Sequence, residues 1–399
     1  MTALERFLTY VRFDTRSEED SATFPSTAKQ LELGRYLAEE LTRIGLEDVC
    51  LDENGYVCGF LPPSPDRADA PALGFVAHMD TSPDVSGADV KPSVIDYAGG
   101  DIQLPHATLT VQNFPALSRY VGQQLVVTDG STLLGADDKA GVAEIVTACE
   151  YLVTHPEVSH RGVAVCITPD EEIGCGADRF PYQRFAAKEA YTVDGGELGE
   201  IEYENFNGAA VCVTITGVNI HPGSAKNKMK NAALMAAELI SMLPAAETPA
   251  HTEGYEGFYH VTDIAGNESL ATVKMIIRDH DRERFEARKV FVQDLVAYLN
   301  RRDGAGTYDL LLKDSYYNMK EQILPHMHLI DNAREAMEAE GVTPCVIPIR
   351  GGTDGARLSY EGLPCPNLST RGLNFHSVHE CIPVEALDTM TRILIRLAQ

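Results

Sequence analysis

A histidine and an aspartate two residues apart, His78 and Asp80, follow the apolar run 73–77. The run has the length and the apolar character of a buried strand. In open α/β sheets, the ends of such strands line the crevice in which ligands bind. Imidazole and carboxylate groups at this position are therefore candidate metal ligands or catalytic groups.

Three further segments place acidic side chains at comparable positions. They contribute Asp137 and Asp138 at the start of a helix, Glu171 and Glu172 after one strand, and Asp194 after another. Each segment taken alone also fits an ordinary helix cap or a solvated turn. Their joint placement at the ends of apolar segments favours one shared site over four unrelated turns.

An imidazole from the segment 375–380, which contains His376 and His379, would complete this set. The chain then holds enough oxygen and imidazole ligands for two divalent metal ions. Two metal ions that share a carboxylate form a hydrolytic device. The sequence therefore predicts metal-assisted hydrolysis.

Composition narrows the class of protein. The 399 residues are 44% hydrophobic and 23% charged, and the net charge is −26. The length predicts two domains, or one large domain with an insertion. The acidic balance argues against nucleic acid and anionic membranes as partners.

The nine cysteines are spread singly along the chain, which predicts reduced thiols. A signal-peptide pattern and an apolar run of transmembrane length are both missing, so we expect a cytoplasmic protein.

The first half of the chain alternates helical and strand patterns. Apolar residues recur at helical spacing over 27–44, and a second helix follows Asp137. Short apolar strands are predicted at 74–77, 163–168 and 190–193. Such alternation indicates an α/β fold with a mostly parallel, helix-covered sheet.

The pattern changes at about residue 208. Strands are predicted at 211–215, 258–264, 271–277 and 308–313, and helices at 232–243 and 282–299. This order is the βαββαβ unit of ferredoxin-like domains. The strand and helix pattern then resumes at 343–349 and 384–397. We therefore expect an inserted domain at 208–316 within a discontinuous catalytic domain made of 1–207 and 317–399.

These motifs together resemble the M20 metallopeptidase family. The matching segments, in family order, are 76–80, 134–141, 168–174, 192–196, 220–223, 350–356 and 375–380. Within the family, the resemblance is strongest to aminopeptidases that act on tripeptides. It implies two Zn²⁺ ions per chain and release of the N-terminal residue by metal-hydroxide attack. It also implies that the inserted domain acts as a lid and supports a homodimer.

The resemblance assigns five metal ligands by their positions in these motifs. Asp137 would bridge the two zinc ions. His78 and Asp194 would complete one zinc site. Glu172 and His376 would complete the other.

The remaining roles at the predicted centre follow from the same resemblance. Glu171, which is not a ligand, would act as the general base. Asp80 would hydrogen-bond the imidazole of His78 and fix its tautomer. The family places the last ligand four residues before a glutamate, which selects His376 rather than His379.

Three residues of the second half are predicted to bind substrate. His221 would stabilise the oxyanion, and in many relatives the equivalent histidine comes from the partner subunit. Arg278 and Arg350 would capture the C-terminal carboxylate of the peptide. A dipeptidase, an acyl-amino-acid deacylase or a carboxypeptidase would share the metal site and differ in this pocket. A non-catalytic metal-binding protein on the same fold is the alternative of another class.

Overall fold

The computed structural model describes all 399 residues, which form two compact units. The first unit consists of Met1–Tyr203, Glu321–Ile347 and Thr353–Gln399, and the second unit of Glu204–Lys320 and Pro348–Gly352. The second unit therefore extends four residues beyond the expected range 208–316 at each end and includes one further short segment.

Nine helices and seventeen strands make up the chain. The helices are α1 (Ala3–Tyr10), α2 (Gln30–Ile44), α3 (Ala136–Thr154), α4 (Ala232–Ser241), α5 (Arg282–Asp303), α6 (Lys320–Ile323), α7 (His328–Ala339), α8 (Asp354–Tyr360) and α9 (Val384–Ala398). The strands are β1 (Glu47–Leu51), β2 (Val57–Leu61), β3 (Leu73–His78), β4 (Ser93–Asp96), β5 (Ile102–Gln103), β6 (Thr108–Leu109), β7 (Gln124–Val127), β8 (Val163–Thr168), β9 (Ala190–Val193), β10 (Glu200–Glu202), β11 (Asn207–Thr216), β12 (Phe258–Gly266), β13 (Leu270–Asp279), β14 (Tyr308–Tyr316), β15 (Cys345–Val346), β16 (Asn367–Leu368) and β17 (Cys381–Pro383). No helix has both the length and the apolar content needed to cross a membrane.

The first unit is built on an eight-stranded sheet. Its strand order is β1-β2-β8-β3-β9-β16-β10-β15. The central strands β8, β3, β9 and β16 run parallel, whereas β1 and β2 add antiparallel strands at one edge. Helices α2, α3 and α8 pack against the sheet. The predicted α/β fold with a mostly parallel sheet is confirmed.

The central strands of this sheet are apolar throughout. Every residue of β3, β8 and β9 is buried. Continuous apolar runs are typical of strands that are covered on both faces. Because β3, β8 and β9 are parallel neighbours, their carboxyl ends lie at one edge of the sheet. The residues that follow these strands are therefore brought together.

Three predicted elements are shorter than expected. Helix α4 ends at Ser241 rather than at residue 243. Helix α2 begins at Gln30 rather than at residue 27, because Ser26 and Gln30 turn towards the carboxylate of Asp170 and donate to it over 2.6 Å each. It ends as expected at Gly45, whose φ of 107° suits glycine.

The strand predicted at 343–349 is reduced to β15. Pro344 and Pro348 flank Cys345–Val346 and have no N–H group to donate to a neighbouring strand. Only these two residues pair with β10, in parallel orientation.

The second unit contains one antiparallel sheet. Its strand order is β12-β13-β11-β14, which is the order expected of a βαββαβ unit of the ferredoxin type. Alternate residues of β11, including Val211, Val213 and Ile215, are buried in one core with Phe285 and Leu299 of α5. Burying an aliphatic side chain of this size stabilises a fold by about 1.5–3 kcal/mol. The predicted ferredoxin-like topology is confirmed.

Candidate metal centre

His78, the last residue of β3, lies at the centre of a buried polar cluster. Its Nε2 atom is 2.9 Å from Oδ1 of Asp137 and 3.7 Å from Oδ1 of Asp194. On the other side of the ring, Nδ1 is 3.1 Å from the carbonyl oxygen of Asp80 and 3.3 Å from its Oδ1. A proton on Nδ1 would be held by Asp80, and the Nε2 lone pair would then be free to bind a metal.

The fully buried carboxylate of Asp80 also holds the segment that follows β8. Its Oδ1 accepts a hydrogen bond from the backbone N–H of Glu171 at 3.0 Å, and its Oδ2 accepts one from Glu172 at 3.2 Å. Both glutamates belong to a 3₁₀ turn at Glu171–Ile173. One side chain therefore sets the positions of His78 and of this turn.

Asp137 lies between two imidazoles. Its Oδ1 faces His78, and its Oδ2 is 3.4 Å from Nε2 of His376. Burial raises the pKa of the carboxyl, but hydrogen bonds from His376 and His78 outweigh it and hold that pKa well below its usual value. The peptide bond from Asp137 to Asp138 is cis, and neither residue has helical φ and ψ angles. A carboxylate with one oxygen directed to each imidazole can bridge two cations.

Glu172 and His376 form the second half of the cluster. Nε2 of His376 lies 2.9 Å from Oε2 of Glu172. Hydrogen bonds to Asp137 and to Glu172 raise the pKa of His376 to about 11, and burial raises that of Glu172 to about 7. Oε1 of Glu172 is buried and has no hydrogen-bond partner. A buried unpaired oxygen is costly, and a cation would satisfy it.

The set of donor atoms fits divalent metal ions. One ligand atom each from His78, Asp137 and Glu172 lies within 4.8 Å of the others, and His78, Asp138 and Asp194 form a second such group. Imidazole nitrogens and carboxylate oxygens are ligands that Zn²⁺ accepts in catalytic sites. Asp138 is also engaged locally, because its carboxylate accepts from the N–H groups of His78 and Gly141.

Glu171 lies beside this cluster and is partly buried. Burial is the largest cause that raises the pKa of its carboxyl well above the ordinary value, and the neighbouring carboxylates of Asp354, Asp194 and Glu172 add to it. An acidic group of this kind next to metal ligands can move a proton.

Glu380 and Asp354 also belong to this region, although the sequence motifs assigned neither of them a role. The carboxylate of Glu380 accepts four backbone hydrogen bonds of 2.6–3.1 Å from residues 134–137. It thereby holds the loop that carries Asp137. Asp354 is buried and accepts from the hydroxyl of Thr168 at 3.1 Å. The only sequence signal for Glu380 was its place in the segment 375–380.

His379 lies apart from the cluster that contains His376. Its ring packs against Phe114, with 5.0 Å between ring centroids, and its N–H donates to Ser377 at 3.1 Å. The two histidines therefore have different surroundings, one acidic and one aromatic.

His221, Arg278 and Arg350 all belong to the second unit. The Nδ1 atom of His221 accepts a hydrogen bond from the N–H of Gly223 at 3.1 Å. Its neutral ring must then carry the proton on Nε2. This exposed nitrogen is a donor.

The two arginines are held in different ways. Arg278, on β13, donates to the carbonyl of Ile277 at 3.0 Å and lies 5.0 Å from the ring centroid of Tyr316. Arg350 donates to carbonyls of Thr252, Gly254 and Glu256 over 2.6–3.3 Å. Arg350 therefore also orders the segment that precedes β12.

Comparisons with known proteins agree with this fold. A model of the M20 peptidase dimerisation domain matches residues 203–307. Peptidase T of Caldanaerobacter subterraneus subsp. tengcongensis is 52% identical over 99% of this chain and 98% of its own length. Peptidase T of Halothermothrix orenii is 53% identical over the same shares of both chains.

Solved structures with the same fold are more distant in sequence. A Staphylococcus aureus tripeptidase has a TM-score of 0.80 at 21% identity, and it covers 99% of this chain and 96% of its own. A Bacillus cereus aminopeptidase has a TM-score of 0.77 at 24% identity, with 99% and 97% covered. A Bacillus subtilis protein described as a dinuclear metal-binding peptidase of the M20 family has a TM-score of 0.65 at 15% identity, with 99% and 97% covered.

Fold and site together define the class as a peptidase of the M20 type, with a metal-binding α/β unit and an inserted dimerisation-type domain. The full-length similarity is more specific. The chain belongs to the peptidase T family.

Proposed function

We propose that the protein is a two-zinc aminopeptidase that releases the N-terminal residue of tripeptides. The names of the full-length relatives and of the structures with the same fold support this activity. The observation that carries the proposal is the position of Asp137, with one carboxylate oxygen towards His78 and the other towards His376. The cytoplasmic location expected from the sequence stays a prediction.

The proposed ligands divide into two sets around Asp137. His78 and Asp194 would hold one zinc ion, and Glu172 and His376 the other. When bound, the two ions would polarise the scissile carbonyl and make water a nucleophile at neutral pH. The unpartnered Oε1 of Glu172 supports a cation at the second position.

The proposed catalytic residues act by moving or holding protons. Glu171 would take a proton from the attacking water and deliver it to the leaving amine. Asp80 would keep the proton of His78 on Nδ1. His221 would donate from Nε2 to the oxyanion, and its hydrogen bond from Gly223 supports that tautomer.

Arg278 and Arg350 would bind the C-terminal carboxylate of the peptide. Guanidinium groups pair with carboxylates through two parallel N–H donors, which makes them specific for this group. A fixed carboxylate site would favour peptides of one length. That would account for a preference for tripeptides.

The decisive experiment is a panel of di-, tri- and tetrapeptides with free or blocked termini. We expect hydrolysis of tripeptides with free termini, release of the first residue, and no reaction after N-acetylation. Preferred cleavage of dipeptides, of acyl-amino acids or from the C-terminus would instead assign another activity of the M20 type.

An amidated tripeptide tests the arginine clamp. Charge-assisted hydrogen bonds contribute about 1.5–3 kcal/mol each, so amidation should lower kcat/KM roughly tenfold to a hundredfold or more. The same amidation should matter little in Arg278→Ala, because the partner charge is already gone. Fully additive losses would remove Arg278 from the proposed clamp.

A further inference from the structure

A second group of metal-type ligands lies in the first unit, away from the residues described above. Nδ1 of His326 is 2.7 Å from Oε1 of Glu189, and Nε2 of His328 is 2.9 Å from Oε2 of the same carboxylate. One ligand atom from each of the three residues lies within 4.8 Å of the others. One glutamate thus faces two imidazoles.

This cluster is at the opposite end of β9 from the candidate metal centre. Glu189 immediately precedes Ala190–Val193, and Asp194 immediately follows it. A strand rises about 3.3 Å per residue, so the Cα atoms of Glu189 and Asp194 are roughly 16 Å apart. The two clusters are therefore separate sites.

The geometry of the three side chains suits a small divalent cation of intermediate softness, such as Zn²⁺. The imidazole rings of His326 and His328 are 5.9 Å apart between centroids and tilted by 54°, and both direct a nitrogen at Glu189. Zinc sites with two histidines and one glutamate leave a fourth position for water. The partly exposed side chains leave that position accessible to solvent.

Chain connectivity gives the cluster a structural consequence. His328 is the first residue of α7, and His326 ends the 3₁₀ turn Leu324–His326 just before it. Glu189 belongs to the loop that enters the central sheet, where its carbonyl accepts from the N–H of Gly74 at 2.9 Å. A bound ion would tie the start of α7 to the start of β9.

We propose that Glu189, His326 and His328 form an additional zinc site that joins α7 to the central sheet. Water completes the coordination. Zn²⁺ is the probe of choice, because imidazole and carboxylate ligands together suit it. The site stabilises the first unit and takes no part in peptide hydrolysis.

Zinc counting on the full-length protein tests this site. The wild type, His328→Gln, Glu189→Gln and the control His106→Gln are stripped with a chelator and dialysed against the same buffered free zinc. His106 is an exposed histidine of the first unit that belongs to none of the candidate metal groups. Elemental analysis should find one zinc ion fewer in each cluster variant than in the wild type and the control, whatever number the other centre holds.

Thermal unfolding provides a second measurement on the same four proteins. An ion that binds only the folded state raises Tm with its concentration. Tm should therefore rise with added zinc more steeply in the wild type and in His106→Gln than in the two cluster variants. Circular dichroism verifies that all four proteins are folded. Equal zinc contents and equal Tm responses would overturn the proposal and leave Glu189 with its hydrogen-bond contacts to the two histidines alone.

Discussion

Among single residues, two buried carboxylates, Asp80 and Glu380, hold the residues of the candidate centre in place. Asp80 contacts His78 and accepts from the N–H groups of Glu171 and Glu172. Glu380 accepts from the four successive N–H groups that lead to Asp137. These two carboxylates are buried at 0% and 1% exposure, so neither is free to rearrange. Fixed partners of this kind keep metal ligands in one orientation.

Replacing Glu171 by glutamine separates proton transfer from metal binding. Glutamine keeps the size of the side chain and cannot take up a proton. We expect kcat to fall about a hundredfold or more, while metal content and Tm stay near those of the wild type. Stopped assays with a tripeptide and elemental analysis measure the two effects. Near-normal turnover in the purified variant would exclude Glu171 as the general base.

Among the helices, α3 carries Asp137 in its first turn and, further along, Glu144, a buried acid without a hydrogen-bond partner. Glu144 is fully buried, and neither of its carboxylate oxygens has a hydrogen-bond partner. Burial alone raises its pKa well above the ordinary value. The folded chain therefore keeps a proton here at pH values at which the unfolded chain already releases it.

This raised pKa predicts how stability depends on pH. Above the unfolded pKa, folding must take up a proton at Glu144, so its contribution becomes less favourable by about 1.4 kcal/mol per pH unit until the folded pKa is reached. Glu144→Met should therefore raise Tm more at pH 8 than at pH 5. Glu39→Met, at an exposed position of α2, should change Tm little at either pH. A stabilisation that is the same at both pH values would contradict this reasoning.

In the second unit, the sheet has two edge strands, β12 and β14, and β12 is the one with a stretch exposed on both faces. Strand β12 ends the strand order, and from Thr262 to Gly266 its residues are exposed on both faces. Unpaired edges of this kind pair with other chains. The match to a dimerisation domain supports a homodimer through this unit, and we propose β12 and its neighbour α4 as the interface.

An apolar-to-charged exchange tests this interface. Ile264 on β12 is 52% exposed, and Leu311 on the opposite edge strand β14 is 67% exposed. Light scattering should find a dimer for the wild type and for Leu311→Asp, because only the β12 edge is used. Ile264→Asp should shift the protein towards monomer, since it buries an unpaired charge in the interface. Dimers of equal strength in both variants would place the contact elsewhere.

Removing metal should affect both activity and stability. Chelation should abolish tripeptide hydrolysis and lower Tm, because the carboxylates around Asp137 would then face one another without cations. Zinc should restore both properties.

Metal counting tests the bridging role of Asp137. In the Glu189→Gln variant, which lacks the additional site proposed above, elemental analysis should find about two ions per active chain. One ion at full activity would contradict the bridging role of Asp137.

Apolar patterns in the chain predicted the central strands of both sheets and the residue types that follow them. Continuous apolar runs predicted β3, β8 and β9, and alternation predicted β11, because burial on one or two faces leaves these patterns in the chain. The start of α2 and the limits of β15 were not predictable from periodicity. Contacts of Ser26 and Gln30 with Asp170 set the first limit, and prolines without N–H groups set the second.

The way in which the side chains of the site meet depends on tertiary contacts. Glu380 binds the N–H of Leu134 across 246 residues of sequence, and no local pattern encodes that contact. The surroundings of His376 and His379 are likewise set by distant groups, Glu172 for one and Phe114 for the other. Apolar runs indicate where the central strands lie. The direction of a polar side chain at that end depends on hydrogen-bond partners that folding brings from elsewhere in the chain.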